Sequence, residues 1–227
     1  MEFYGLPGCG KSTVSHAVAR LLREDGYSVQ EPSFGIDHQP NYIKRPRKLA
    51  IACWWYLFHH NEYCSIRSVV LQNGYDGLEA LTQTANVIQK IKAYNQKGNA
   101  QITIWDQGLI QAAVSLSVKG KVTAGENYRR LLPFVKREPR IVPVYMPVTI
   151  DVALKRMNDR HTNDSRVEKL KLGEQKTAML RRLQDGIDST MVFFDNIPIV
   201  IEDISDLNEK VSVTYQEVVK RTLNPMA

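Results

Sequence analysis

The stretch GLPGCGKST, residues 5 to 13, constrains this chain more than any other. An apolar strand at residues 1 to 4 leads into it. From Lys11 the pattern turns helical, with Val14, Val18, Leu21 and Leu22 at spacings of three and four. Gly5, Gly10, Lys11 and Ser12 have the spacing of a loop that wraps a nucleotide's phosphates, between the strand and helix that such a loop requires. Gly5, Gly8 and Gly10 let the backbone curl so that successive N–H groups point inward. Cys9 contributes only its backbone, and its side chain reads as filler. The donors run on into the positive end of the helix. The Lys11 ammonium is expected at the β and γ phosphates, the Ser12 hydroxyl on Mg²⁺ and the Thr13 hydroxyl toward the α-phosphate. The implied ligands are ATP and Mg²⁺.

The rest of the chain alternates apolar strands with helical stretches. Strands are expected at 1–4, 27–32, 100–108, 139–148 and 197–203. Helices are expected at 11–25, 47–72, 77–97, 109–118, 125–136, 150–160 and 174–190, with a last one from 206. Asp206 and Glu209 there have capping-box spacing. Residues 161–173 are polar and charged and read as a mobile loop. Nearly all-apolar strands alternating with helices predict an α/β fold, a parallel sheet with helices on both faces. No repeat or linker divides residues 1–227, so one domain is expected. The run LAIACWWYLFHH, 49 to 60, is shorter than the ~20 residues a bilayer span needs and reads as a buried helix.

Composition adds bounds. The formal charge of +6 suits an enzyme that handles ATP and leaves nucleic acid open as a partner. No basic motif interleaved with aromatics supports nucleic-acid binding. Cys9, Cys53 and Cys64 show no metal spacing and no disulfide framework, which predicts a reduced, cytoplasmic setting. No signal peptide is expected ahead of the loop, and no membrane association.

Two carboxylates stand at strand ends, the edge where open parallel sheets bind ligands. Asp106 ends the third strand, in ITIWDQG, and is the expected carboxylate partner of Mg²⁺. Capping of the next helix is the plainer role for it. Glu31 follows the second strand, in QEP. It is placed to accept a proton from an acceptor hydroxyl or to hold a ribose hydroxyl, or else it is a solvated loop residue.

With these residues in place, the chain resembles the thymidylate kinase and deoxynucleoside kinase branch of the P-loop kinases, nearly end to end. QEPSFG (30–35) is similar to the Arg-Glu-Pro-Gly-Gly turn of thymidylate kinases and the Glu-Pro of deoxynucleoside kinases. WDQGLIQAAVS sits where those families carry Asp-Arg-Tyr or Glu-Arg-Ser. VYMPVTIDVALKRMNDR resembles the fourth strand and its Arg-x-x-x-Arg helix. DSRVEK (164–169) resembles the lid, and IVIEDISDLNEKVSVTYQEVVK the closing strand and helix. The resemblance implies a five-stranded parallel sheet, a small lid at 161–173, and ATP- and Mg²⁺-dependent phosphoryl transfer to a nucleoside or nucleoside monophosphate. Many members are homodimers packed through the region of 47–97, which would give CWWYLF a purpose alternative to core packing.

Arg156 and Arg160 are four apart and so share a helix face. With Arg166 in the loop beyond, they are expected to fork onto the phosphoryl oxygens, where transfer needs alignment and positive charge. A solvated charged face is the plainer role. The departures from the family cluster on the acceptor side. Gln30 replaces the arginine before Glu-Pro, and Gln107-Gly108 follows Asp106 without the arginine of either branch. Lys44, Arg45, Arg47 and Lys48 could restore anion binding, or form a solvated basic stretch. A P-loop kinase of another small molecule and a non-catalytic ATP-binding protein therefore stand as alternatives. A GTPase-like switch lacks its base-reading motif: YNQKGN precedes a strand rather than following one.

Overall fold

Glu2, Phe3 and Tyr4 are buried at every position, which requires partners on both edges and cover on both faces. The computed structural model describes residues 1–32, 41–96, 100–136, 141–159, 167–170, 173–192 and 198–222. Strand β1 (Glu2–Tyr4) pairs in parallel with β4 (Pro143–Tyr145), and β4 pairs with β5 (Ile199–Val200). Strand β2 (Val29–Gln30) pairs in parallel with β3 (Ile102–Thr103).

The expected single five-stranded sheet needs correction. The described strands form a three-stranded sheet, β1-β4-β5, and a two-stranded one, β2-β3. They meet at one isolated parallel bridge between Glu2 and Trp105. There the Phe3 N–H donates to the Trp105 carbonyl (2.7 Å) and the Trp105 N–H to the Met1 carbonyl (2.9 Å). Trp105 is the last extended residue before the chain bends at Asp106, so only one position can pair with β1.

Helix α1 (Lys11–Glu24) buries Val14, Val18 and Leu22 of the expected stripe together with Ala19, leaves Leu21 half-buried, and ends at Gly26 with φ +89°. The long helical region after β2 is three helices: α2 (Asn41–Phe58), α3 (His60–Gln72) and α4 (Gly77–Asn95). They pack on one another. After β3 come α5 (Leu109–Ser117) and α6 (Ala124–Leu131), then a short 3₁₀ turn at Leu132–Phe134. Helix α7 (Ile150–Asn158) follows β4, α8 (Gly173–Met191) precedes β5, and α9 (Leu207–Thr222) closes the chain. Thr149 caps α7 by accepting from the Val152 N–H, and Asp206 accepts from the Glu209 N–H (2.8 Å), half of the expected capping box. Helix α9 packs on α1, while α5 packs against α4, α6 and α8.

The reading of residues 49–60 as a buried helix is corrected as well. Helix α2 buries Ala52 and Trp55, but Trp54, Tyr56, Leu57 and Phe58 are exposed, Leu57 at 69%. A helix packed along one side can bury only that side, and here the apolar residues continue around it. The Trp54 and Phe58 rings, one turn apart, lie 4.1 Å between centroids. Among the described residues no helix is long and apolar enough to cross a membrane.

Candidate functional site

The loop between β1 and α1 is shaped by its glycines. Gly5, Gly8 and Gly10 have φ of +152°, +87° and +92°. Gly5 is also sterically required, since a β-carbon there would lie 2.6 Å from the Met146 carbonyl oxygen at the end of β4. Gly8 lies less tightly against α7, where a β-carbon would be 3.0 Å from the Ala153 carbonyl oxygen. Gly10 is the N-cap of α1, with no side chain to cap it, so the first N–H groups of the helix face the loop. Cys9 is buried beneath.

Lys11 curls over this loop, its ammonium donating to the carbonyls of Gly5 and Leu6 (2.9 Å each). One position on, the Ser12 hydroxyl donates to Asp106 Oδ2 at 2.9 Å. Ser12 and Asp106 are 94 residues apart in sequence, and the ends of β1 and β3 bring them together. Asp106 is 8% exposed. Its other oxygen, Oδ1, is buried and has no hydrogen-bond partner among the described residues. A buried, unpaired carboxylate oxygen beside a hydroxyl is costly without a cation or donor. The donors are hard oxygens, which fits a magnesium ion. Among the described residues no three His, Cys, Asp or Glu side chains converge to cage a metal. Such an ion would therefore be shared with phosphate and water, as Mg²⁺ commonly is.

The remaining expected residues lie elsewhere. Glu31, just past β2, is turned onto α1: its Oε1 is 3.0 Å from His16 Nδ1, and its Oε2 accepts from Arg23 (2.7 Å). Arg156, on α7, forks onto Asp203, with Nη1–Oδ1 at 3.0 Å and Nη2–Oδ2 at 3.3 Å. Lys210 from α9 also donates to Asp203 Oδ1 (3.1 Å), and its side chain is buried. Burial pushes the Asp203 carboxyl up, but the bonds from Lys210 and Arg156 outweigh it and hold it below its usual value. Thr13 is exposed at the start of α1. Arg160, Arg166 and most of the expected lid at 161–173 lie outside the described residues. The side chains of Lys44, Arg45, Arg47 and Lys48 do too, although their backbone forms the first part of α2.

Three residues that matter here were not among the sequence candidates. Gln111 on α5 accepts the Gly5 N–H through Oε1 (3.3 Å), tying the loop to that helix. Glu2 is fully buried and accepts the Tyr94 hydroxyl (2.7 Å) on Oε2 and the Gln111 N–H (3.1 Å) on Oε1. Burial drives its carboxyl above the usual range, against the pull of Tyr94, the N–H groups of Gln111 and Ile110, and Lys90. Asp203 is the third. A carboxylate in an otherwise apolar strand was the readable signal for Glu2; nothing local singled out Gln111 or distinguished Asp203 from Glu202.

Compared with known proteins, the chain matches no family model, and no curated protein matches it. Solved structures do match. A deoxyadenosine kinase from M. mycoides, bound to the products dCMP and a flexible dCDP, superposes with a TM-score of 0.54 at 16% identity. The match covers 96% of this chain and 98% of that one. The same enzyme with bound dATP gives 0.54 at 17% identity, over 96% and 97% of the two chains. This chain therefore shares the fold of that deoxyadenosine kinase.

Proposed function

We propose that this chain is an ATP- and Mg²⁺-dependent kinase that transfers a phosphoryl group to a nucleoside or nucleoside monophosphate. The observation that carries this is the pairing of Ser12 with a buried Asp106 whose second oxygen has no partner, at the mouth of a loop holding Lys11. The fold shared with a deoxyadenosine kinase that binds dCMP, dCDP and dATP supports the nucleoside side of the reading.

The loop N–H groups and the α1 terminus bind and orient the phosphates of ATP. Lys11 exchanges its contacts with the Gly5 and Leu6 carbonyls for phosphate oxygens. Ser12 and Asp106 would hold Mg²⁺, which when bound would neutralise charge on the phosphates. Arg156 leaves Asp203 and forks to the moving phosphoryl with Arg160, while Arg166 of the lid adds charge and the closed lid excludes water. Glu31 takes the acceptor's proton after exchanging one of its α1 partners. The exposed residues of α2, Trp54, Tyr56, Leu57 and Phe58, are the surface through which two copies would pair, and we place the protein in the cytoplasm.

A second reading, ATP binding without transfer, is favoured by one observation: Arg156 and Glu31 are both engaged away from the loop. ADP release from Mg·ATP, with a panel of nucleosides, nucleoside monophosphates and small alcohols, separates the two. Release stimulated by a nucleoside-type acceptor supports the kinase. Stimulation by another alcohol alone points to a different acceptor, and ATP binding with no stimulated release supports the second reading.

A further inference from the structure

We infer that Glu2 is the positioning residue for Asp106: it caps α5 from outside the helix and so sets the turn that carries the metal-facing carboxylate. The inference rests on the proposed role of Asp106 and deepens it.

Asp106 cannot orient itself. Among the described residues its one hydrogen-bond partner is the Ser12 hydroxyl on Oδ2, and Oδ1 has none. Its direction is therefore inherited from the turn, and Glu2 holds both sides of that turn. On the near side, Trp105 is clamped to the backbone on either side of Glu2, at Met1 and Phe3. Its ring stacks on Tyr94 (4.2 Å, 10°), whose hydroxyl donates to Glu2 Oε2. On the far side, α5 begins at Gly108, an N-cap with no side-chain hydrogen bond. Glu2 supplies the missing acceptor through the Gln111 N–H, and its carboxylate meets the positive helix end.

The glycine after Gln107 follows from this arrangement. A β-carbon at Gly108 would come within 2.5 Å of both Glu2 Oε2 and the Tyr94 hydroxyl. Gly108 is the space the Glu2 carboxylate occupies, so its departure from the family pattern belongs to this cap and not to the acceptor. Through Gln111, whose side chain accepts the Gly5 N–H, the same cap reaches the phosphate loop.

The test is Mn²⁺ binding to the protein–ADP complex by electron paramagnetic resonance, with ADP affinity in EDTA measured alongside. Glu2→Ala is expected to weaken Mn²⁺ about tenfold or more, the usual cost of losing an outer support of a metal ligand, with ADP affinity in EDTA within about twofold. Glu2→Gln, which keeps an acceptor for Gln111, should stay within about threefold of the parent on Mn²⁺. Gly108→Ala should match Glu2→Ala, and the double variant should be no worse than either. Unchanged Mn²⁺ affinity in Glu2→Ala, or equal losses with and without metal, overturns the inference. If Glu2→Ala does not fold, Tyr94→Phe replaces it: about threefold weaker Mn²⁺ upholds the inference and no change overturns it. Asp106→Asn is the control for the underlying reading. If it leaves Mn²⁺ affinity unchanged, the metal role of Asp106 fails, whatever Glu2 does.

Discussion

Arg156 and Asp203 meet in a two-pronged ion pair across 47 residues of sequence, with the buried Lys210 on the same carboxylate. The pair is partly exposed, 34% and 28% by side chain, so separating it costs only about 1 kcal/mol or less. That is cheap enough for a phosphate to take the arginine away. Lys210 is the deeper dependency, because at 5% exposure it has little water to fall back on.

Asp203→Asn is therefore expected to cost about 1–3 kcal/mol of stability at pH 7, chiefly by weakening the partner of Lys210. The carboxyl lies below its ordinary value in the folded chain, so its contribution is present above the unfolded pKa. It is lost as pH falls through the folded value. Thermal unfolding of parent and variant should differ at pH 7 and converge in acid below pH ~4. A gap that stays constant with pH would mean the charge of Asp203 does nothing.

Lys11→Ala should lower ATP-dependent transfer by about a thousandfold or more while the fold survives. Lys11 donates to loop carbonyls that water can serve, and it packs in no core. Asp106→Asn should keep the fold and raise the Mg²⁺ needed for half-maximal activity by about tenfold or more. Steady-state rates against free Mg²⁺, with circular dichroism as the folding control, measure both. Wild-type turnover in Lys11→Ala would dismiss the loop as the site.

How much of this was legible follows from distance along the chain. Gly5 to Thr13 is local, so spacing alone identifies the loop. Asp106 was readable because an aspartate at a strand end has few destinations in a parallel sheet. The fork from Arg156 to Asp203 depends on how α7 packs beside the end of β5, which no local pattern encodes. Glu2 and Gly108 are each odd in the sequence, but they explain one another only once Trp105 bridges to β1. The apolar run at 49–60 misled because hydropathy records what a helix is made of and not how many of its sides are covered.

The loop glycines should rank by what surrounds them. Gly10 has open space where a β-carbon would go, so Gly10→Ala meets only the strain of its positive φ, about 1–2 kcal/mol. Gly5→Ala meets the Met146 carbonyl oxygen at 2.6 Å as well, and that backbone is pinned by the Met146 N–H donating to the Tyr4 carbonyl (3.0 Å). Denaturant titration should find Gly5→Ala the more damaging, at about 3 kcal/mol or more. The reverse order would mean that the loop does not seat against β4 as described.

Asn73 and Asn127 form a reciprocal amide pair with both residues fully buried. Each Nδ2 donates to the other's Oδ1, at 2.7 and 2.9 Å, and Asn73 also donates to the Val69 carbonyl. The pair ties the end of α3 to α6, the helix that packs on α5 behind the candidate site. Removing one amide strands the other in a fully buried site. Asn73→Ala and Asn127→Ala should each cost about 2–3 kcal/mol. Asn73→Ala with Asn127→Ala should cost less than the sum, because the second change removes a group that the first left unsatisfied. Equilibrium unfolding of the four proteins measures this coupling, and strict additivity would mean the two amides act independently.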